Sequence, residues 1–89
     1  MASYELRIKP SAAKELEGIE SKKDRQKIVK RIATLQTNPR SPVCQKLTGR
    51  EGYRVRQGSY RILYEIDDQN GVVTIFRIGH RRDVYQQDG

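Results

Sequence analysis

Two alternating runs separated by Gly58-Ser59 constrain this chain more than any other feature. Residues 53–57 and 60–66 each alternate in the period of two expected of strands, and Gly58-Ser59 is a two-residue hairpin signal. A two-residue turn fixes the register: Gln57 faces Tyr60, Arg56 faces Arg61, Val55 faces Ile62 and Arg54 faces Leu63. One sheet face then carries Arg54, Arg56 and Arg61, and the other carries Tyr53, Val55, Ile62 and Tyr64 as the core side. Like charges placed directly opposite across two strands are destabilising, so stability alone does not account for the Arg56–Arg61 pair. Guanidinium groups stay protonated and grip phosphate bidentately, so such a face suits a phosphodiester. The alternative is an ordinary surface network in which Glu65, Asp67 or Asp83 neutralises the arginines.

The rest of the chain supplies what the hairpin packs on. Tyr4, Leu6 and Ile8 alternate with charged residues as a half-buried first strand. Pro10 and Ser11 open a helix, proline as a starter and serine as a cap, with Ala12, Leu16 and Ile19 on one face and Gly18 keeping it short. Ser21 and Asp24 have the spacing of a capping box and begin a second helix, whose stripe is Ile28, Ile32 and Leu35 with Val29 beside it. Asn38-Pro39 closes that helix, residues 40–51 read as a loop, and Asn70-Gly71 turns the chain into a last strand over 72–78. The expectation is an α+β fold in the order β-α-α-β-β-β. A helical hairpin packs on a small antiparallel-rich sheet with a short C-terminal tail, all in one domain, 1–89.

With 33% charged residues and a net charge of +7, the chain should attract polyanions. Residues 1–49 hold eleven Lys and Arg against five acids. Lys22, Lys23, Lys27, Lys30 and Arg31 on the second helix, with Lys46 in the loop, are therefore candidate contacts to a phosphate polymer such as RNA, the alternative being a solvated face. No apolar run approaches the length of a membrane span, and no signal-peptide layout opens the chain. A cytoplasmic protein without membrane contact, metal or cofactor is expected. The single Cys44 has no second cysteine for a disulfide or a metal knuckle, and reads as a small, partly buried residue. Tyr53, Tyr60 and Tyr64 read as packing residues.

Three segments carry a family resemblance: Lys46-Leu47-Thr48-Gly49, the run YRVRQGSYRILYEI over 53–66, and RIGHRRDVY over 77–85. In these segments the sequence resembles the RelE/ParE toxin superfamily of type II toxin–antitoxin systems, and within it the RelE branch. The resemblance implies a RelE-like fold and a ribosome-dependent, metal-independent endoribonuclease (an mRNA interferase) that cuts messenger RNA in the ribosomal A site. It also implies a cognate antitoxin protein as partner. The reaction needs a base for the attacking ribose 2′-hydroxyl, cations for the phosphorane and an acid for the leaving oxygen. Carried over by position, the resemblance assigns Arg54 and Arg56 to proton transfer and charge stabilisation. It gives Arg61 to the transition state, Arg81 to the leaving group, and Tyr85 to stacking on or orienting the nucleotide. Better-known members carry lysines where Arg54 and Arg56 stand, and arginine is a poor proton shuttle. His80, whose side-chain type titrates near neutrality, is therefore expected to join the arginine face as acid or base, the alternative being a strand-end histidine bonded to backbone. Two other functions share the scaffold or the charge: a ParE-like toxin that inhibits DNA gyrase without cutting, and a non-catalytic RNA-binding module.

Overall fold

The computed structural model describes residues 3–80. Its elements run β1 (Glu5–Ile8), α1 (Pro10–Glu17), α2 (Lys22–Thr34), β2 (Cys44–Lys46), β3 (Tyr53–Gln57), β4 (Tyr60–Asp67) and β5 (Val72–His80). The five strands form one sheet in the order β1-β5-β4-β3-β2. β1 lies parallel to β5 and the remaining pairs are antiparallel. The α+β class and the helical hairpin on an antiparallel-rich sheet agree with the sequence reading. One strand was not expected from sequence: β2 lies within the stretch read as a loop. Its three residues are too short to show a period, and pairing with β3 makes them a strand.

Local chemistry explains both helix starts. Ser21 Oγ accepts from Asp24 N at 3.2 Å and caps α2 as the spacing predicts. In α1 the cap is Lys9, which makes no side-chain bond, and Pro10 takes the first helical position. Ser11 thus lies inside the helix and caps nothing. Both helices cover one face of the sheet, where Ala12, Ile19, Ile28, Ile32 and Leu35 meet Val55, Ile62, Tyr64, Val73, Ile75 and Ile78. Tyr64 is fully buried in this layer, and its hydroxyl donates to Pro39 O at 2.6 Å. That bond satisfies the polar end of a ring whose burial pushes its pKa far above the usual tyrosine range.

Burial of both Ile75 and Ile78, three residues apart, is incompatible with strict alternation. A bulge resolves it: Tyr64 pairs with Ile75 and Leu63 with Arg77, so Phe76 and Arg77 together oppose Leu63. Phe76 packs with Leu63 and Leu47 in a second, smaller cluster on the opposite face. Gly52 sits against that cluster at φ +130°, where an added Cβ would lie 3.0 Å from Tyr64 O and 3.1 Å from Leu47 Cδ1. No other residue type fits there without displacing backbone.

Candidate RNA-binding and catalytic site

The β3–β4 register is the one the sequence dictates: Gln57 opposite Tyr60, Arg56 opposite Arg61, Val55 opposite Ile62 and Arg54 opposite Leu63. Arg54, Arg56 and Arg61 accordingly share the face turned away from the helices. They line a cavity of about 400 Å³ together with Arg31, Pro42, Val43 and Gln45. Arg61 is only 3% exposed and is the single buried charged residue among those described. Its Nη1 donates to Tyr60 O at 3.4 Å. Arg56 projects into solvent and Arg54 is half-buried. Arg54 is oriented from the edge strand, where its Nε and Nη2 donate to Gln45 Oε1 at 3.2 and 2.9 Å.

Two of the acids that could have neutralised this face are engaged elsewhere. Glu65 Oε1 lies 3.9 Å from Arg50 Nη2, and Asp67 accepts from the backbone and side chain of Asn70 at 3.0 and 2.8 Å. Asp83 lies outside the described residues, as do Arg81 and Tyr85.

His80 does not join the arginine face. It pairs with Tyr60, and its ring meets the Tyr60 ring edge-on with centroids 5.8 Å apart. Gly79 is the residue opposite Arg61, so His80 points to the helix side, beside Gly18, Ile19, Glu20 and Ser21. The bulge is the physical cause. One inserted residue reverses the sidedness of everything after it, which sends Ile78 into the core and His80 away from the arginines.

Among the helix residues, Lys22, Lys23, Lys27 and Lys30 are exposed on the outer surface of α2. Arg31 is different. It stands in the last turn of α2, three residues after buried Ile28, and its Nε donates to Gln57 Oε1 at 3.2 Å at the end of β3. The i, i+3 relation places it at the border of the apolar stripe, which is the sequence signal that separates it from the four lysines. Lys46 lines a different hollow, with Arg40, Arg50 and Tyr53. Sequence reasoning missed Gln45 and Gln57, whose roles depend on β2 and on the α2–β3 approach. Among the described residues there is no group of three or more His, Cys, Asp or Glu placed to hold a metal ion, and no helix long and apolar enough to cross a membrane.

What the arrangement offers chemically is a strand-borne set of permanent cations, one of them buried, around a solvent-open concavity. Residues 6–85 match the model of the family described as ParE toxin of type II toxin–antitoxin system, parDE. The curated protein Toxin RelG of Mycobacterium tuberculosis is 41% identical over 46 residues, which are 52% of this chain and 51% of that protein. The chain thus spans about half the length of that curated relative. Among solved structures, the toxin–antitoxin complex RelBE2 from Mycobacterium tuberculosis is 30% identical with a TM-score of 0.77, covering 90% of this chain and 100% of that chain. The isolated E. coli RelE toxin is 26% identical with a TM-score of 0.77, covering 96% of this chain and 94% of that one. The archaeal RelE–RelB complex from Pyrococcus horikoshii OT3, at 22% identity and a TM-score of 0.74 with 89% and 96% covered, shares the fold. Fold, arginine face and these likenesses define one class: the chain belongs to the RelE/ParE superfamily of toxins of type II toxin–antitoxin systems. Within that class the solved structures named above are of RelE toxins, whereas the matching family model is that of ParE.

Proposed function

We propose that this toxin is a metal-independent endoribonuclease that cuts messenger RNA in the ribosomal A site and so inhibits translation, and that a cognate antitoxin restrains it. The observation that carries the reading is the Arg56–Arg61 opposition on the face away from the core, with Arg61 buried. A buried cation costs several kcal/mol of desolvation, and a directly opposed like charge adds repulsion. An anion that enters the cavity is attracted by both guanidinium groups.

In the proposed reaction the ribose 2′-oxygen bonds to the adjacent phosphorus and loses its proton. The P–O5′ bond breaks, the leaving oxygen takes up a proton, and the products are a 2′,3′-cyclic phosphate and a 5′-hydroxyl. The phosphorane carries one more negative charge than the ground-state diester. Fixed guanidinium donors therefore bind it more tightly than they bind the substrate, which is what accelerates the step. Arg61, held in low dielectric, is assigned to that charge, and Arg54 and Arg56 to gripping the scissile phosphate and its developing charge. Arg81 is assigned to the leaving oxygen and Tyr85 to the nucleotide base. His80 has no part in these transfers, because it lies on the other face of the sheet. The RelBE complexes among the neighbours support an antitoxin partner. A +7 chain suits a partner of acidic or amphipathic character.

Primer-extension mapping of translated messenger RNA tests the reading. Wild-type protein should produce new cuts on ribosome-bound message, and Arg56→Ala and Arg81→Ala should each lower cutting by about a hundredfold. Absence of cuts with the wild type, or undiminished cutting by both variants, would overturn it. The match to the ParE family model favours a second reading, gyrase inhibition through protein contact. Under that reading the wild type leaves message intact and blocks DNA supercoiling.

A further inference from the structure

Val43 is 58% exposed, more than any other large hydrophobic residue among those described. It stands with exposed Pro42 at the tip of a turn in which Cys44 N donates to Ser41 O at 2.9 Å. Proline at the second position of such a turn has its φ preset, so the tip is stiff. Both flanks of the turn are fastened. Pro39 O accepts from the buried Tyr64 hydroxyl on one side, and Cys44 pairs with Val55 on the other. Neither Pro42 nor Val43 belongs to either hydrophobic cluster, so core packing does not account for them. The β2–β3 register sets Gln45 opposite Arg54 and Cys44 opposite Val55, so one step further Val43 comes beside Arg56, which faces Arg61. Val43, Arg56 and Arg61 thus form one row across neighbouring segments, at strand spacings of about 4.8 Å. Beyond Arg61 the row continues into Gly79, which has no side chain. The cavity agrees with the register: Pro42 and Val43 line it together with Arg56 and Arg61.

We infer that Pro42 and Val43 form a nucleoside wall of the arginine cavity, an apolar surface for the base and ribose attached to the phosphate at Arg56 and Arg61. This rests on the proposed function for the identity of the anion, and adds to it a contact outside the phosphate. Guanidinium groups grip the phosphate of any polyanion. In RNA, however, the bridging oxygens of each phosphate carry riboses, and each ribose carries a base. A nucleoside leaving the Arg56–Arg61 pair towards β2 meets Val43 one strand spacing away, on a turn that does not need to rearrange. The base presents a flat apolar face, which gains by leaving water against valine and proline. At about 400 Å³ the cavity falls within the roughly 300–1,000 Å³ of small-ligand pockets, room for more than phosphate oxygens. A lone exposed valine is commonplace on protein surfaces. What distinguishes this one is its place in the arginine row, at the lip of the cavity. The wall offers apolar contact in place of a hydrogen-bond code, so it tells a nucleotide from a bare phosphate and does not read sequence.

The test removes the base from the ligand and the apolar contact from the protein, separately and together. Anisotropy follows the binding of a short fluorescein-labelled oligouridylate RNA, and of the same ribose-phosphate chain without bases, across a salt series. The proteins are the wild type, Val43→Ser, Val43→Phe and Arg56→Ala, with thermal unfolding of each in parallel. The wild type should bind the base-bearing chain about tenfold more tightly than the abasic one. Val43→Ser should lose about fivefold on oligouridylate and nothing on the abasic chain, with unfolding temperature and salt slope unchanged. Val43→Phe should bind oligouridylate about fivefold more tightly than the wild type, because an aromatic ring stacks on a base. Arg56→Ala should weaken both chains alike, its slope of log affinity against log salt shallower by about 0.7. Equal binding of the two chains by the wild type overturns the inference, as does failure of the wild type to bind oligouridylate. An equal loss on both chains in Val43→Ser, with a lowered unfolding temperature, overturns it too and gives Val43 to the fold. If the base-dependent contact is found but wild-type protein cuts no message, the nucleoside wall stands and the nuclease reading falls. If message is cut while Val43→Ser discriminates the two chains as the wild type does, the nuclease reading stands and the wall falls.

Discussion

Arg61 is the side chain at which stability and function separate most cleanly. It is 3% exposed on a face whose other buried neighbours, Leu47 and Leu63, are apolar. Removing a donor that meets developing negative charge costs about 10²–10³ in rate. Arg61→Met keeps the length of the side chain and should cut translated message at least about a hundredfold more slowly, with a cooperative urea transition retained. Coincident loss of stability and activity would mean that Arg61 serves the fold. The position of Arg61 was legible in the sequence because a two-residue turn leaves one register, and register fixes sidedness. Its burial was not legible, since register fixes which face a side chain takes and not what covers that face.

At the scale of elements, β5 holds the lesson about what local pattern can and cannot give. The strand itself, its start after Gly71 and its antiparallel pairing to β4 follow from alternation and turn chemistry. The bulge does not, because Phe76 and Arg77 both satisfy the composition of an ordinary strand and only the requirement to bury both Ile75 and Ile78 forces the extra residue. That one residue is why His80 was expected among the arginines and is found against Tyr60. His80→Ala should accordingly cut translated message at the wild-type single-turnover rate. A large loss in kcat with intact stability would return His80 to the chemistry. Past Ile75, β1 no longer runs beside β5, and Glu15 of α1 takes its place: Oε1 accepts from Ile78 N at 2.9 Å and Oε2 lies 3.6 Å from Arg77 Nε. A helix side chain thus completes the strand's hydrogen bonding where its neighbour stops. Glu15→Ala leaves the Ile78 N–H and the half-buried Arg77 without that acceptor, and should lower unfolding free energy by about 1–3 kcal/mol in a urea titration.

For the molecule as a whole, four segments are tied by one exposed network. Arg40, in the loop before β2, donates to both oxygens of Asp68 at 3.0 and 2.7 Å and to Tyr53 Oη at 3.1 Å, while Tyr4 Oη donates to Asp68 Oδ1 at 2.7 Å. The Arg40 hydrogen bonds, with that of Tyr4, hold the Asp68 carboxyl at about 2, below its ordinary 3.8. A carboxyl depressed on folding contributes stability above its unfolded value and loses it as pH falls through the folded one. Wild-type stability should thus fall between pH 3.8 and about 2, and Asp68→Asn should fall less steeply over the same interval, read from urea midpoints. Equal slopes would remove Asp68 from the acid response. The sheet order has a consequence for how the chain comes into being. Among the described residues β1, synthesised first, finds its strand partner in β5, which also separates it from β4. The N-terminal strand therefore cannot pair until β5 has been made. The sheet closes only after synthesis has passed the arginine hairpin.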